Sequence, residues 1–349
     1  MAPQIYLVTG ASKSLGLAIT HSLLLASPPG STVYLTARSQ PAGEAAVSSV
    51  KSTLSSDACQ SSLSFLQLDV NSPASVAAAA NAVRNRHGRL DVLVSNAGVE
   101  FGLVGRKNGM TRTEEVQRTL STNYFGVLDL CDKFLPLIPR DGTGRIVLVS
   151  STASHLRFVY SDQLRQRLTA DDLAVPELTK MMEDFAAARD GVGFGTAYTA
   201  SKAAQNAFTR ILARENPQIK VNSCCPGWVD TEMGRHAGPN PPKTCGNPLP
   251  PLHLEWDAKG AQRRVRGYRC GWPWATLAMC PASSGRTRRC RTPSTGRWQC
   301  GDGFPTICSY DDWSLVICVS CIDVIVDVPK SETWIAPLLH SASVCTSGR

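Results

Sequence analysis

The stretch YTASK places Tyr198 and Lys202 four residues apart in a segment whose pattern predicts a helix, so both side chains share one face. A tyrosine with its ordinary pKa of about 10 is a poor proton donor or acceptor at neutral pH. A neighbouring ammonium favours the phenolate and lowers that pKa, which makes proton transfer feasible. The pair therefore indicates acid–base chemistry, with an ordinary amphipathic helix face as the alternative.

A second candidate site is the stretch TGASKSLG (9–16), which lies between an apolar run and a helical pattern. Gly10 permits a tight turn, Gly16 permits close approach of helix and strand, and the helix N-terminus offers N–H groups to an anion. Ser14 stands where a dinucleotide-binding loop has its middle glycine, so its Cβ would crowd the cofactor or its hydroxyl would bond to it. The motif indicates a phosphate site, with an ordinary strand–loop–helix junction as the alternative.

The end of the second predicted strand, TAR (36–38), bears on which dinucleotide would bind. An acidic residue there would accept hydrogen bonds from an unphosphorylated ribose 2′-hydroxyl, and this strand end has none. Arg38 suits a 2′-phosphate instead, and Lys13 is placed to help neutralise it. These charges predict NADPH rather than NADH, unless both are solvated surface charges.

Alternating strands and helices must position these residues. Nearly continuous apolar runs, with helical patterns between them, indicate a parallel sheet covered on both faces. The predicted fold is therefore α/β, a doubly wound Rossmann-type sheet with ligands at the carboxyl ends of its strands. The predicted strands span 4–9, 32–37, 64–69, 90–95, 145–150 and 218–223, and the predicted helices include 15–26, 41–54, 73–88, 111–138 and 197–214.

Over about residues 4 to 234 the chain resembles the short-chain dehydrogenase/reductase family. Its landmarks, in the family's order, are TGASKSLG (9–16), LDV (68–70), SNAG (95–98), TNYFG (122–126), VSS (149–151), YTASK (198–202) and PGWVDT (226–231). Ser14 and Ser95 depart from the family's pattern, since asparagine is common at the second position. The resemblance implies reduction of a ketone or aldehyde, or the reverse oxidation, by hydride transfer. A non-catalytic dinucleotide-binding protein, or a family member impaired by an aberrant C-terminus, is the alternative.

The resemblance also implies roles for individual residues. Tyr198 would be the acid/base, and Lys202 would adjust its pKa and bind the ribose. Ser151 would hydrogen-bond the substrate oxygen, and Asn123 would hold a water that relays protons to Lys202. The residues predicted to contact NADP(H), from the motifs and the resemblance together, are Gly10, Ser12, Lys13, Ser14, Leu15, Gly16, Arg38, Asp69, Val70, Asn96, Ala97, Gly98, Lys202, Pro226, Gly227, Val229 and Thr231.

Ser151 and Tyr198 are separated by 47 positions, far more than in compact members of the family. The excess, about 156–192, has a helical pattern in which Pro176 suits a first helical turn and Gly191 a C-cap. This insertion is similar to that of the monomeric carbonyl reductases, which implies a monomer. The insertion and the CCPGW stretch also make Leu156, Phe158, Val159 and Trp228 candidate substrate-wall residues, although plain packing would explain each equally well.

Composition divides the chain near residue 234. Up to that residue there are 22 Lys+Arg and 20 Asp+Glu, a net charge of +2, and from 235 onward there are 14 and 8, a net of +6, which completes the total of +8. The predicted domains are a Rossmann-type domain at 1–244 and a Cys/Arg/Pro-rich tail of uncertain fold at 245–349, which we expect to be poorly ordered.

Three interpretations of the tail compete. Cys270, Cys280, Cys290 and Cys300 are spaced by ten, although this spacing matches no familiar zinc pattern. The segment 259–297 has ten basic residues and no acidic one, which would suit a nucleic acid if a recognisable module were present. The composition favours a third interpretation, a segment never selected to fold, such as translation in a shifted frame.

Length and targeting signals complete the sequence prediction. The N-terminus lacks a signal-peptide pattern, and the longest apolar run, 315–326, is too short to span a bilayer and contains Asp323. We therefore expect a cytoplasmic protein that acts on a small carbonyl or alcohol compound, without a metal, nucleic acid or membrane as partner.

Overall fold

The computed structural model of the chain describes residues 2–54, 60–102, 108–188, 193–227 and 229–234, and the backbone of two short strands at 254–256 and 262–264. Six parallel strands form the main sheet: β1 (Ile5–Val8), β2 (Thr32–Ala37), β3 (Ser62–Gln67), β4 (Val92–Ser95), β5 (Arg145–Val149) and β6 (Lys220–Cys224). Their spatial order is β3-β2-β1-β4-β5-β6, so the chain starts in the middle and winds outward in both directions. The predicted doubly wound α/β fold is confirmed.

Strand burial follows from this arrangement. Every residue of β1, β2, β4 and β5 is buried. Side chains alternate between the two faces of a sheet, so Ile5 and Leu7 join the core on one face. Tyr6 and Val8 join the core on the other face. The apolar runs seen in the sequence are therefore continuous because helices cover both faces.

Eight α-helices lie in the described part of the chain. They are α1 (Ser14–Ala26), α2 (Gln40–Thr53), α3 (Pro73–His87), α4 (Arg112–Leu120), α5 (Gly126–Phe134), α6 (Asp162–Thr169), α7 (Val175–Ala187) and α8 (Ala197–Glu215). The single helix predicted over 111–138 is instead α4, a π-helical turn (Ser121–Phe125), α5 and a 3₁₀ turn (Leu135–Leu137). One π turn shifts the helical register by only about one residue, so the period of the apolar pattern does not reveal it.

The predicted insertion contains the two helices α6 and α7. Pro176 lies in the first turn of α7, as expected. The expected C-cap at Gly191 is wrong, because α7 ends at Ala187 and Ala188 leaves it in an extended conformation, with its N–H donating to Asp184 O. Gly191 itself lies outside the described residues.

The insertion is anchored on α8, the helix that carries Tyr198. Arg210 donates to the carbonyl oxygens of Leu168 and Thr169 at 3.1 and 2.8 Å. Arg214 donates to the carbonyl oxygen of Leu173 at 2.6 Å. These bonds hold the end of α6 and the segment after it against α8.

Beyond residue 234 the structure describes one antiparallel pair, β7 (Leu254–Trp256) and β8 (Gln262–Arg264). The sequence shows no sustained period there, and three-residue strands are too short to establish one. The expectation that the tail is poorly ordered stays a prediction. The cysteine series, most of the basic segment and the apolar run at 315–326 lie outside the described residues.

Candidate active site

Tyr198 and Lys202 lie in the first two turns of α8. A capping box starts this helix: Thr196 Oγ1 accepts from the N–H of Thr199, and Thr199 Oγ1 accepts from the N–H of Thr196. The box fixes where the helix begins. Tyr198 and Lys202 therefore emerge from the same face, as the spacing predicted.

Lys202 is buried, with 4% of its surface exposed. Its Nζ donates to Val149 O at 2.8 Å and to Gln205 Oε1 at 3.0 Å, and lies 5.8 Å from the centroid of the Tyr198 ring. Burial lowers the pKa of Lys202 to about 8, while Cys225 and Cys224 act in the opposite direction. The lysine therefore titrates much nearer to neutrality than an exposed one.

Tyr198 is hydrogen-bonded to Ser151, the second residue after the end of β5. Burial raises the pKa of Tyr198 to about 12; the Ser151 bond lowers it, while Cys225 and Glu100 raise it further. The sequence predicted a lowered pKa from the Lys202 ammonium, and this is corrected. Desolvation is the largest effect on the phenol, and the Lys202 ammonium, 5.8 Å from the ring centroid, is hydrogen-bonded to two other acceptors. The phenol is therefore protonated at neutral pH, as a proton donor must be.

Ser151 is placed by the turn that follows β5. Its Oγ accepts from the N–H of Ala153 at 3.2 Å and caps a 3₁₀ turn (Thr152–Ser154). Asn206 on α8 ties this turn to the helix, since it accepts from Ser150 Oγ at 2.7 Å and donates to Ser154 Oγ at 2.8 Å. The sequence did not single out Asn206, which lies one turn beyond Lys202.

Asn123 is fully buried in the π turn between α4 and α5. Its side chain accepts from the N–H of Val99 at 2.8 Å, and donates to Val99 O at 2.9 Å and to Ser201 Oγ at 3.1 Å. It thereby joins the loop after β4 to α8. A Cβ on Gly98 would lie 3.3 Å from Asn123 Oδ1 and 3.7 Å from Lys202 Nζ, so these three residues are neighbours. The water-holding role of Asn123 stays a prediction.

The loop between β1 and α1 needs its glycines. Gly10 has a φ of +62°, and a Cβ there would lie 2.9 Å from Ala97 Cα. A Cβ on Gly16 would lie 2.5 Å from Gly10 O. Asn96 Nδ2 donates to Thr9 O at 2.9 Å, which ties the loop after β4 to this one. The two loops form one cradle at the carboxyl ends of β1 and β4.

Ser14 has a φ of 51° and is the one non-glycine residue of the described chain in the left-handed region. The sequence indicated that the Cβ or the hydroxyl of Ser14 would affect cofactor binding. The structure shows that the backbone conformation of Ser14 is unfavourable as well. For an L-residue this conformation is unfavourable by about 1–2 kcal/mol. The middle glycine of the motif is absent, yet its backbone conformation is retained.

We expect Ser14→Gly to raise the free energy of unfolding by about 1 kcal/mol, because relief of the left-handed strain exceeds the entropic cost of glycine. Thermal or urea unfolding of the full chain measures this. Ser14→Ala is the matched control, since it removes the hydroxyl and keeps the strained backbone. An equal gain from Ser14→Ala would contradict the backbone explanation.

The remaining predicted dinucleotide contacts lie along the same edge of the sheet. Ser12 and Leu15 flank Lys13 and Ser14 at the start of α1, Asp69 and Val70 follow β3, and Pro226, Gly227, Val229 and Thr231 follow β6. Arg38 is exposed at the end of β2, where its backbone carbonyl accepts from Gln67 Nε2 at 3.0 Å. Lys13 forms an exposed ion pair with Glu232, a partner that the sequence did not reveal.

The four candidate substrate-wall residues differ in burial and position. Leu156 and Phe158 lie half-buried in a 3₁₀ turn (Leu156–Phe158) next to the Ser151 turn. Val159 is 1% exposed and pairs with Phe194, so it packs in the core, and its place in a substrate wall stays a prediction. Trp228 lies outside the described residues.

A cavity of about 490 Å³ lies beside α4, and the sequence did not predict it. Its lining residues are Glu100, Phe101, Asn108, Gly109, Met110, Glu114 and Arg118. Arg118 lies over the Phe101 ring, 5.0 Å from its centroid. Glu100, one of these lining residues, also contributes by its charge to the raised pKa of Tyr198.

In the described part of the chain, no three His, Cys, Asp or Glu side chains are grouped as metal ligands. In the same part of the chain, no helix has the length and apolar character needed to cross a membrane.

Comparison with known proteins agrees with this geometry. The family model of short chain dehydrogenase matches residues 4–161 and 186–241. The (+)-neomenthol dehydrogenase of Arabidopsis thaliana is 32% identical over 261 residues, which cover 68% of this chain and 86% of that protein. Human carbonyl reductase (NADPH) 1 is 34% identical over 269 residues, covering 73% and 92%. The solved structure of salutaridine reductase from Papaver somniferum matches with a TM-score of 0.59 at 28% identity, covering 69% of this chain and 92% of that one.

The gap between the two matched segments, 162–185, coincides with α6 and most of α7. The extra helices between Ser151 and Tyr198 are thus an addition to the family's common core. The chain belongs to the short-chain dehydrogenase/reductase family and is similar to its carbonyl reductases.

Proposed function

We propose that this protein reduces a ketone or aldehyde to an alcohol with NADPH, with Tyr198 as the proton donor. One observation carries the proposal: Tyr198 is hydrogen-bonded to Ser151 while the Lys202 ammonium lies 5.8 Å from the centre of its ring. The names of the relatives, which include a carbonyl reductase (NADPH) and a neomenthol dehydrogenase, support the same chemistry.

The residues at the sheet edge fit a dinucleotide. A Cβ would collide with backbone at Gly10 and Gly16, so the loop surface there is bare backbone. No described side chain caps the N-terminus of α1, which leaves its first N–H groups suited to a phosphate. Asn96, Ala97 and Gly98 would line the ribose beside Lys202, and Thr231 would meet the carboxamide. When bound, the reduced nicotinamide would supply a hydride to the carbonyl carbon.

Tyr198 and Ser151 would handle the oxygen of the substrate. The Tyr198 phenol is protonated at neutral pH, so it can donate its proton to the carbonyl oxygen as that oxygen gains charge. The Ser151 hydroxyl, already bonded to the phenol, would donate to the same oxygen and stabilise it. The phenolate left on Tyr198 is then stabilised by the Lys202 ammonium. In the reverse direction the same groups would accept the proton of an alcohol.

The preference for NADPH follows from Arg38. Its guanidinium stands at the end of β2 without an acidic residue at that strand end, and it can bind a 2′-phosphate with two parallel hydrogen bonds. Lys13 is also close to the cradle, but its ion pair with Glu232 partly neutralises its charge. Arg38 is therefore the main determinant in this proposal.

We also infer a cytoplasmic monomer. The insertion contacts α8 through Arg210 and Arg214, and it is the feature by which the chain resembles the monomeric carbonyl reductases, which supports a monomer.

The direct test of function is oxidation of NADPH by the full-length protein against a panel of aldehydes and ketones. We expect turnover with some of the panel, and formation of the corresponding alcohol. Binding of NADPH without turnover of any compound would favour the non-catalytic alternative.

The pH dependence follows from Lys202. Its pKa is lowered to about 8, so the ammonium is present below that pH and is lost as the pH rises through it. Tyr198, with a pKa raised to about 12, remains protonated across this range. We therefore expect kcat/KM for reduction to fall as the pH rises through about 8, because the phenolate is no longer stabilised. Initial rates from pH 6 to 10, with unfolding curves at each pH as the control, measure this; a flat profile would contradict it.

A further inference from the structure

Gln205 is a buried polar residue, with 1% of its surface exposed, on the same helix as Lys202 and three residues beyond it. Its Oε1 accepts from Lys202 Nζ at 3.0 Å. An ammonium has donors only, so the amide oxygen must face the lysine and the amide nitrogen must point away. That nitrogen has no hydrogen-bond partner among the described residues.

If Gln205 served stability alone, burying its amide nitrogen without a partner would be unfavourable. A buried amide N–H without a partner loses its hydration and gains nothing in return. Leucine has a similar volume and would fill the same space without this penalty. A side chain that is costly to bury, and that touches the ammonium of the candidate site, points to a role at that site.

The contacts of Lys202 show what the role is. Its ammonium carries three donors, and two are used by Val149 O at the end of β5 and by Gln205 Oε1. Neither of these acceptors uses the third donor, and Gly98 of the loop after β4 is a neighbour of Nζ, since a Cβ there would lie 3.7 Å from it. The two acceptors hold the ammonium behind Tyr198 with one donor available to the site.

We propose that Gln205 is a positioning residue, whose amide oxygen forms, with Val149 O, a two-acceptor seat that keeps the Lys202 ammonium charged and oriented beside Tyr198. This inference rests on the role of Lys202 in the proposed function. Gln205 itself touches neither the dinucleotide nor the substrate in this proposal.

Several other groups act on Lys202 and Tyr198, and the test must distinguish the effect of Gln205 from theirs. Tyr198 lies on the same helix, and Cys224 and Cys225 come from β6 and the residue after it. Glu100, from the loop after β4, acts on Tyr198. Gln205 does not titrate, so its effect on the ammonium is the same at every pH and adds to those of these groups.

The test reads the titration of Lys202 directly, in the ligand-free full-length chain. Lysines are labelled with ¹³C at Cε, the signal of Lys202 is assigned by its loss in Lys202→Met, and its shift is followed between pH 6 and 11. Gln205→Leu removes the acceptor, and Gln205→Glu replaces it with a carboxylate. Gln166→Leu, on the exposed side of α6, is the matched control.

We expect the midpoint of Lys202 to fall by on the order of one pH unit in Gln205→Leu and to rise by at least that much in Gln205→Glu. Gln166→Leu should leave it unchanged. Gln205→Leu removes the unpaired amide nitrogen but also takes one acceptor from the buried ammonium, and these effects on stability oppose each other, so we expect only a small change in unfolding temperature. The alkaline fall of kcat/KM should shift in the same directions.

Unchanged midpoints in both Gln205 variants would overturn the proposal. An early-unfolding Gln205→Leu with an unchanged midpoint in Gln205→Glu would also overturn it, because Gln205 would then be structural only. If the midpoints shift but the protein reduces no carbonyl compound, the positioning of Lys202 by Gln205 is supported and the proposed function is contradicted. Failure of the one claim is therefore distinguishable from failure of the other.

Discussion

Substitution of Tyr198 by Phe is expected to lower kcat for carbonyl reduction by about 10²–10⁴-fold, the usual contribution of a general acid. In this proposal the phenol is the group that transfers its proton to the substrate oxygen, and its pKa is raised by burial, so it is protonated at the pH of the assay. The ring remains and continues to pack. NADPH affinity should therefore change little.

Steady-state rates and NADPH titration, on the same preparations, measure the two effects separately. Tyr34→Phe is the matched control, because it removes a phenol that bonds to His87 and is not part of the site. A loss of less than about tenfold in Tyr198→Phe would remove Tyr198 from the role of proton donor.

The second large effect is expected at Arg38. Arg38→Asp should lower the ratio of kcat/KM for NADPH to that for NADH by on the order of 10–100-fold, because a charge-assisted hydrogen bond is worth about 1.5–3 kcal/mol. The new carboxylate should also accept a hydrogen bond from the 2′-hydroxyl of NADH. Lys13→Ala should have the smaller effect, since Lys13 is paired with Glu232.

Steady-state kinetics with NADPH and with NADH, on the wild type and on each variant, measure this change in cofactor preference. Arg84→Asp, an exposed arginine on α3 bonded to Asn81, controls for the change in net charge. A wild type that prefers NADH, or an Arg38→Asp protein that keeps the wild-type preference, would show that the 2′-phosphate is bound elsewhere.

The sequence predicted the fold well because its strongest signals are local. The buried strands are mostly apolar, and the six predicted strands match the observed ones to within two residues at either end. The YTASK pair also depends only on helical spacing, and the capping box at Thr196 starts the helix where that spacing requires.

What the sequence could not predict depends on contacts between distant parts of the chain. The pKa of Tyr198 was expected to be lowered by Lys202, but burial by surrounding elements raises it. Glu232 is 219 positions from Lys13, and no short-range pattern connects them. Gln205 resembles any polar helix residue until its burial beside Lys202 is known. The strained φ of Ser14 is the exception, since the missing glycine could have signalled it.

The central claim, that a hydride passes to a carbonyl carbon while Tyr198 supplies the proton, is tested most directly by isotope transfer. NADPH deuterated at the transferring position of nicotinamide C4 is incubated with the full-length protein and the compounds of the carbonyl panel, and the products are examined by mass spectrometry. The account predicts an alcohol that carries one deuterium on the carbinol carbon, formed at a rate about 10²–10⁴-fold lower with Tyr198→Phe. Absence of labelled alcohol from every compound, in a protein that binds NADPH, would contradict it.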